Sequence, residues 1–312
     1  MKISVITPVY NAEKYITQAV ESALQFEEVC EVILIEDKSP DNALQVCIEL
    51  AEKHDRVKLY QHPDKGNHGA GATRNLGLEK ATGDIIAFLD ADDYFLPNRF
   101  DAEKELFKNP NVEGVYGAIG VHYYSEKAKE QYYNLFEDRL TTVYKKHHPK
   151  DVFPGQMHMR GAFGLFSLDA LTIRRESLNK MSPFFKTHLR LHQDTEFLFR
   201  LSYYLDLYPG ILDKAVAVRG VHEDNRITKV DSGKINPATT RVLLWREVNK
   251  WSENEDTIPE EIKTHIKRMH RSFEIAIAPT FKKWGMIAKY LVTDYPSIRS
   301  GLFNINFRKD LF

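Results

Sequence analysis

One stretch of nine residues, 85–93, limits what this chain can fold into more than any other. Five apolar residues, Ile85 to Leu89, run without a polar break, and three carboxylates then fall within four positions, at Asp90, Asp92 and Asp93. A fully buried parallel strand looks like this where it emerges at its carboxyl end. Ligands bind at that edge of open α/β sheets, and clustered carboxylates suit a hard divalent cation such as Mg²⁺ or Mn²⁺. Asp also favours solvated turns, so this stretch alone leaves both interpretations open.

Strands and helices are predicted to alternate from the start of the chain to about residue 95. Apolar, β-branched runs at 3–7, 32–35 and 57–60 predict strands, and segments with helical apolar stripes lie between them. A strand-like run at 114–121 follows, but the alternation has by then broken down. This order predicts an α/β fold with a Rossmann-like, mostly parallel central sheet flanked by helices. From about Pro237 the pattern is helical.

The composition is that of an ordinary globular protein, with 43% hydrophobic and 28% charged residues. Because 43 Lys and Arg nearly balance 44 Asp and Glu, the charge gives no argument for nucleic acid binding. No apolar run approaches the length of about 20 residues that a membrane span needs. The first residues lack the pattern of a signal peptide, and the two cysteines have no metal or redox spacing. We therefore expect a cytoplasmic location with reduced thiols.

Polar side chains follow three of the predicted strands. The segments at these strand ends contain Thr7, Pro8 and Tyr10, then Glu36 and Asp37, then Asp90, Ala91 and Asp92. The carboxyl ends of parallel strands share one edge, so these residues are expected to converge. Such convergence predicts a nucleotide pocket, in which some acids contact the base and ribose and others hold a metal that neutralises a diphosphate. Arg74, in the helix after a glycine-rich segment, can supply a further phosphate contact.

Two residues of the second half are candidates for chemistry. Asp194 lies in the first turn of a predicted helix, where a carboxylate suits the helix dipole. Taken alone, its position favours a simple capping role. His222 follows a short predicted strand and can complete a metal site whose other ligands are carboxylates. A hydrogen-bonding role at the surface is the alternative.

The C-terminal region is basic. Between Pro259 and Phe312 there are ten Lys or Arg and five Asp or Glu. An apolar face flanked by lysines, which would suit an anionic membrane surface, is predicted from Trp284, Ile287, Tyr290 and Leu291 with Lys282, Lys283 and Lys289. A helix packed on its own protein would show the same pattern.

Four motifs in order resemble the family 2 glycosyltransferases with the GT-A fold. They are Thr7-Pro8-Val9-Tyr10-Asn11, Glu36-Asp37-Lys38-Ser39-Pro40-Asp41, Thr73-Arg74-Asn75-Leu76-Gly77 and the DXD motif Asp90-Ala91-Asp92-Asp93. Each motif alone is common, but the ordered set at these spacings is specific. The resemblance covers about residues 1–230. It implies a GT-A catalytic domain at 1–230, with a nucleotide-binding half at 1–100 and an acceptor half at 101–230, and a helical C-terminal region at 231–312.

The resemblance also implies roles for individual residues. Asp194 would be the catalytic base, and Asp92 with His222 would bind Mn²⁺ or Mg²⁺. The nucleotide-sugar site would comprise Thr7, Pro8, Val9, Tyr10, Glu36, Asp37, Ser39, Arg74, Asp90, Ala91 and Asp92. Two positions depart from the family pattern: Lys38 stands where glycine is common, and Gln193 replaces the first acid of a pair.

The activity implied is metal-dependent transfer of a sugar from a nucleoside diphosphate, such as a UDP-sugar, to an acceptor hydroxyl with inversion. The expected setting is bacterial surface polysaccharide or glycoconjugate synthesis, with a glycan or lipid-linked glycan acceptor and possible peripheral contact with the inner face of the membrane. No processive-synthase motif is visible, which favours single additions. A non-catalytic nucleotide-sugar-binding module is the alternative. A nucleotidyltransferase would want a glycine-rich phosphate loop after the first strand, and Thr7 to Tyr10 is not one.

Overall fold

The structure is a computed structural model, and it describes residues 1–159, 161, 163–223, 225 and 237–295. The chain forms two compact units, Met1–Asn225 and Arg226–Phe312. The domain boundary predicted at residue 230 lies outside the described residues. The division of the first domain at residue 100 remains a prediction. Within the described part of the chain, no helix is long and apolar enough to cross a membrane.

Strands and helices alternate through the first third of the chain, as predicted. They are β1 (Ile3–Val9), α1 (Ile16–Leu24), β2 (Val29–Glu36), α2 (Ala43–Lys53), β3 (Val57–Gln61), α3 (Ala70–Lys80) and β4 (Ile85–Phe88). The four strands are parallel and lie in the order β3-β2-β1-β4. These elements form the parallel part of the central sheet.

The chain then adds strands to this sheet and builds a second one. The elements are β5 (Tyr94–Phe95), α4 (Asp101–Leu106), β6 (Gly114–Tyr116), β7 (Ala118–Tyr123), α5 (Glu126–Phe136), α6 (Pro149–Gln156), β8 (Leu171–Arg174), α7 (Gln193–Tyr204), β9 (Leu207–Pro209) and β10 (Ala215–Val221). The central sheet has seven strands in the order β3-β2-β1-β4-β8-β6-β9, and β8 is antiparallel to both neighbours. A small sheet has the order β5-β10-β7. The predicted mostly parallel α/β architecture is confirmed.

The central strands are buried on both faces. Successive side chains of a strand point to opposite sides of the sheet, so neighbouring residues pack in different clusters. On one face, Val5 packs in a cluster with Ala19 of α1. On the other, Ile6 packs in a cluster with Leu78 of α3 and Phe197 of α7. The unbroken apolar runs of the sequence therefore correspond to strands with helices on both sides.

The run predicted as one strand at 114–121 is two strands in different sheets. β6 belongs to the central sheet and β7 to the small one. Between them, the Gly117 amide donates to the Ala170 carbonyl at 2.8 Å. A Cβ at Gly117 would lie 3.0 Å from Val216 Cγ2, so the turn between the sheets is tight. An apolar run does not indicate where the chain passes from one sheet to another, because both strands are buried.

The first strand also runs past Pro8, where the sequence predicts an end. Pro8 lacks an amide hydrogen and normally interrupts a strand ladder. The Ile6 carbonyl faces β4, and Pro8, two residues later, faces the same way. Because β4 ends at Phe88, no residue of that strand would accept a hydrogen bond from a backbone amide at position 8. The strand therefore continues to Val9 and carries its end to the edge of the sheet.

The second unit contains three described helices: α8 (Pro237–Glu253), α9 (Glu260–Ile277) and α10 (Thr280–Thr293). The predicted apolar face of α10 is partly wrong. Ile287 and Tyr290 are half-buried and Lys283 is buried. The apolar side chains most open to solvent are instead Phe281 at 94%, Trp284 at 54% and Val292 at 86% exposure.

Packing of α3 on β1 yields a prediction about stability. A Cβ at Gly77 would lie 2.3 Å from Ile6 Cγ2 in the core. Gly77→Ala is therefore expected to lower the free energy of unfolding by about 1–3 kcal/mol, measured by urea denaturation.

The matched control is Gly285→Ala in α10, where a Cβ meets nothing within 4 Å. Here the better helix propensity of alanine should leave stability equal or raise it by about 0.5–1 kcal/mol. A Gly77 variant as stable as the parent protein would contradict the packing described.

Candidate functional site

Three strand ends meet at one edge of the central sheet. The Asp37 amide donates to the Val9 carbonyl at 2.9 Å, which places the ends of β1 and β2 side by side. The Leu89 amide donates to the Ile6 carbonyl at 3.0 Å on the other side of β1. This edge therefore gathers Thr7, Pro8, Val9, Tyr10, Glu36, Asp37, Ser39, Asp90, Ala91 and Asp92. That they bind a nucleotide sugar remains a prediction.

The end of β1 offers two features to a ligand. The Thr7 hydroxyl is buried and finds no hydrogen-bond partner among the described residues. The Tyr10 ring is 44% exposed. A buried hydroxyl without a partner is uncommon, and an exposed ring at a strand end can stack on a flat group. Both suit a bound molecule at this edge.

Asp37 holds the loop before α3. Its buried carboxylate accepts hydrogen bonds from the amides of His68 and Gly69, each at 2.7 Å. Its carbonyl also accepts a hydrogen bond from Asn67 Nδ2 at 2.8 Å. Sequence reasoning gave Asp37 a place beside a nucleotide base; the hydrogen bonds add a structural role, because they fix the loop that leads into α3.

The neighbours of Asp37 are also engaged with the protein. Glu36 is buried and accepts from the Ser39 amide and from Gln61 Nε2 at 2.6 Å. Ser39 Oγ in turn accepts from the Asn11 amide at 3.3 Å. Lys38, where glycine was expected, has φ of 58°, in the left-handed region that glycine enters without strain. The backbone turn expected of the motif thus forms without its glycine.

Arg74 lies at the centre of the site and is 4% exposed. Its Nη2 donates to Asp90 Oδ1 at 2.5 Å. Burial by itself lowers the pKa of the Arg74 guanidinium, but the carboxylates of Asp90 and Asp194 raise it, and the net shift is upward. Its Nε and Nη1 are buried and have no partner among the described residues. Arg74 is therefore a fixed positive charge with donor capacity left over.

The loop after β4 is held by a residue that sequence reasoning missed, Asp169. Its Oδ1 accepts from the Asp90 amide at 2.9 Å, and its Oδ2 accepts from Ser167 Oγ at 2.8 Å. Burial raises the pKa of Asp93 well above its usual range and also raises that of Asp169. The sequence signal for Asp169 was a single carboxylate within an apolar run. An Asp in such a run is expected to be buried, and a fully buried Asp is almost always paired.

Asp92 and His222, which the resemblance implies bind the metal, lie close together. Asp92 Oδ2 lies 3.1 Å from His222 Nε2 and accepts from Asn225 Nδ2 at 2.8 Å. Asn225 was not identified from the sequence. A Cβ at Gly220 would lie 2.0 Å from the Asp92 carbonyl oxygen, so only glycine allows β10 to approach this closely.

Two sets of side chains could hold a cation. The oxygens of Asp90, Asp93 and Asp169 lie within 4.8 Å of one another. Asp92 and His222 offer an oxygen and a nitrogen 3.1 Å apart. Carboxylate oxygen with imidazole nitrogen suits Mn²⁺, and carboxylates suit Mg²⁺, so the chemistry of the donor atoms fits the expected ions.

Asp194 lies in the first turn of α7 and is exposed. It is close enough to Arg74 to raise the pKa of the guanidinium. Its Oδ1 accepts from the Thr195 amide at 2.8 Å, as a carboxylate at a helix start does. The neighbouring Gln193, which replaces an expected acid, is buried. The structure thus leaves one carboxylate at this position.

Comparison with known proteins identifies the class. The model of the glycosyl transferase family 2 matches residues 4–172, and the chain belongs to that family. An uncharacterised glycosyltransferase of Nostoc is 30% identical over 201 residues, which is 62% of this chain and 57% of that protein. The chain thus spans a little over half the length of this relative.

Two further proteins are similar to this chain. The minor teichoic acid biosynthesis protein GgaB of Bacillus subtilis is 34% identical over 151 residues, 46% of this chain and 16% of GgaB. The crystal structure of residues 1–349 of S. aureus TarS in complex with UDP-GlcNAc is similar with a TM-score of 0.63 at 20% identity, covering 88% of this chain and 72% of that one. At this identity the likeness establishes a shared GT-A fold.

Proposed function

We propose that this chain transfers a sugar from a nucleoside diphosphate, most simply a UDP-sugar, to an acceptor hydroxyl with inversion at the anomeric carbon. One observation carries the proposal. Arg74 is buried, has two donor nitrogens without a partner among the described residues, binds Asp90 at the strand edge and interacts electrostatically with the exposed carboxylate of Asp194. A cation with spare donors suits a diphosphate, and an exposed carboxylate beside it suits a base that must reach an acceptor.

The step follows from this arrangement. The acceptor hydroxyl gives its proton to the Asp194 carboxylate, and its oxygen forms the new bond to the anomeric carbon. The bond between that carbon and the diphosphate oxygen breaks, and the electron pair leaves with the nucleoside diphosphate. Attack from the face opposite the leaving group inverts the configuration. The positive charge of Arg74 is proposed to stabilise the diphosphate oxygens as their charge grows.

Asp92 and His222 are the residues proposed to hold Mn²⁺ or Mg²⁺. Such an ion supplies positive charge to the departing diphosphate when it is bound. The other carboxylate set is a poorer candidate because two of its members, Asp93 and Asp169, are buried and hold hydrogen bonds within the protein. Asp93 accepts from the Gly220 amide at 2.8 Å, and both oxygens of Asp169 accept hydrogen bonds from the protein. Asp92 has 29% side-chain exposure and so is open to a ligand.

The relatives support the choice of substrates. TarS was crystallised with UDP-GlcNAc, and GgaB carries the name of a teichoic acid biosynthesis protein. We therefore propose a UDP-sugar donor, a glycan or lipid-linked glycan acceptor, and a role in bacterial surface polysaccharide or glycoconjugate synthesis on the cytoplasmic side. A non-catalytic nucleotide-sugar-binding module would not need a carboxylate at Asp194, whose exposure beside Arg74 favours the enzyme.

Substitution of the base is the direct test. UDP-sugars are first screened by thermal shift with and without Mn²⁺, since a ligand of the folded state raises its stability. With the best donor, Asp194→Asn should lower the rate of UDP release by about 10²–10⁴-fold, because no base remains to take the proton. Donor affinity, measured by calorimetry, should stay within about twofold, because the carboxylate acts on the acceptor.

The control is Asp101→Asn, which alters another exposed Asp in the first turn of a helix. It should keep the parent rate. An Asp194→Asn enzyme with full activity would remove Asp194 from the mechanism.

Metal placement gives a second prediction. Asp92→Asn and His222→Gln should each weaken Mn²⁺ binding by more than about tenfold, measured by electron paramagnetic resonance, because each loses a ligand. Asp93→Asn, which keeps an acceptor for the Gly220 amide, should bind Mn²⁺ nearly as the parent does. The reverse pattern would assign the ion to Asp90, Asp93 and Asp169.

We propose that the exposed side of α10 contacts an anionic membrane. Phe281, Trp284, Leu291 and Val292 fall within about 100° of the helix circumference at 3.6 residues per turn. Lys282 and Lys289 are exposed next to this arc. The helix contains no acidic residue. An apolar arc beside lysines fits the interface of an anionic bilayer.

Vesicle sedimentation tests this contact. The parent protein should bind phosphatidylglycerol vesicles and not phosphatidylcholine vesicles, and Phe281→Glu with Val292→Glu should reduce binding more than about tenfold. Leu243→Glu, at an apolar position of α8 with 44% exposure, should have no effect. Unchanged binding by the double variant would refute the contact, and dimerisation in place of vesicle binding would assign the face to a second copy.

A further inference from the structure

Asn75, the residue after Arg74 on α3, joins two distant parts of the chain. Its Nδ2 donates to the Phe185 carbonyl at 2.9 Å, and its Oδ1 accepts from the Phe185 amide at 2.9 Å. One side chain thus satisfies both backbone groups of a residue 110 positions away. Two hydrogen bonds to one residue fix its orientation as well as its position.

The Phe185 ring lies where the donor and base elements meet. It is 1% exposed and stacks on Phe197 of α7 at 4.1 Å between centroids. It also meets the edge of Phe88 in β4 at 5.6 Å, and the Arg74 guanidinium carbon lies 5.6 Å from its centre. Phe185 therefore contacts the strand that leads to Asp90, the helix of Arg74 and the helix of Asp194.

The same segment is held from α7. Arg200 pairs with Glu196 at 2.7 Å inside the core, and its Nη1 donates to the Pro183 carbonyl at 2.7 Å. Its Nη2 donates to the Phe184 carbonyl. Residues 183–185 are thus tied to α7 by Arg200 and to α3 by Asn75.

The starts of α3 and α7 also lie close together. A Cβ at Gly71, in the first turn of α3, would lie 3.3 Å from Gln193 Cγ. Gln193 directly precedes Asp194 at the start of α7. A shift of segment 183–185 would therefore change where Asp194 lies relative to Arg74.

We propose that Asn75 is a positioning residue for the base: by fixing Phe185, it sets the start of α7, and with it Asp194, against the helix that carries Arg74. The inference rests on the proposed function. Asn75 makes these contacts through a backbone segment, so it acts on the acceptor step through Asp194. A misplacement of about 1 Å in such a group can cost about 10²-fold in rate.

Kinetics of Asn75→Ala test the proposal. With UDP-GlcNAc and Mn²⁺, kcat for UDP release should fall about 10–100-fold while the Kd of the donor stays within about twofold. In the Asp194→Asn background, Asn75→Ala should add less than about threefold, because residues that act through one group are not additive. A full multiplication of the two effects, or an equal loss of donor affinity, would overturn the proposal.

A structural measurement keeps the test independent of activity. Asn75→Ala should speed amide hydrogen exchange in 183–195 and leave the last turns of α7 unchanged, because only the clamp at Phe185 is lost. Unchanged exchange in 183–195 would overturn the proposal even in an active enzyme. If the parent protein releases UDP from no donor, the proposed function is refuted. The exchange result would then still show whether Asn75 fixes the segment around Phe185.

Asn98→Ala is the matched control. Asn98 Nδ2 also donates to a distant backbone carbonyl, that of Ala215, at 3.0 Å. Its loss should affect stability without changing kcat or exchange in 183–195. An equal fall of kcat in both variants would show general destabilisation and overturn the positioning role.

Discussion

The buried guanidinium of Arg74 is the constraint on which the site depends. A charge with 4% exposure is stable only beside opposite charge, and breaking a buried pair by removing one partner costs about 3–5 kcal/mol. Asp90 supplies a direct contact and Asp194 a longer-range one. The two carboxylates come from opposite halves of the first unit, so the neutralisation of one cation links the strand end of Asp90 to the start of α7.

A second group of carboxylates shapes the site without facing it. Asp37 fixes the loop before α3, and Asp169 fixes the loop after β4 through the Asp90 amide. Each accepts backbone or hydroxyl hydrogen bonds while buried, which is how a carboxylate is accommodated away from water. The acids of the site thus divide into buried ones that hold loops and those, Asp90, Asp92 and Asp194, that are at least partly exposed to solvent.

The parallel half of the fold was predictable because its signals are local. Apolar runs and helical stripes along 1–95 depend on neighbours in sequence, and the structure bears them out. The antiparallel insertion of β8 and the switch between sheets at Gly117 depend on pairing between distant segments, which no local pattern records. The edge where the polar strand ends converge followed from strand direction, whereas the role of Asp169 required a contact across 79 residues. Asn225 was missed for the same reason. The exposed side of α10 could not be predicted, because it depends on which face of the helix packs inward.

The distance between Asp92 and His222 depends on the pairing of strands in the small sheet. The two residues are 130 positions apart and come together only when β10 pairs with β5. β5 has two residues, so this pairing rests on few backbone hydrogen bonds and is a natural place for local opening. Any ligand that bridges the two side chains would close that opening and stabilise the small sheet more than the central one. Occupancy of the site and order in this sheet are therefore thermodynamically linked.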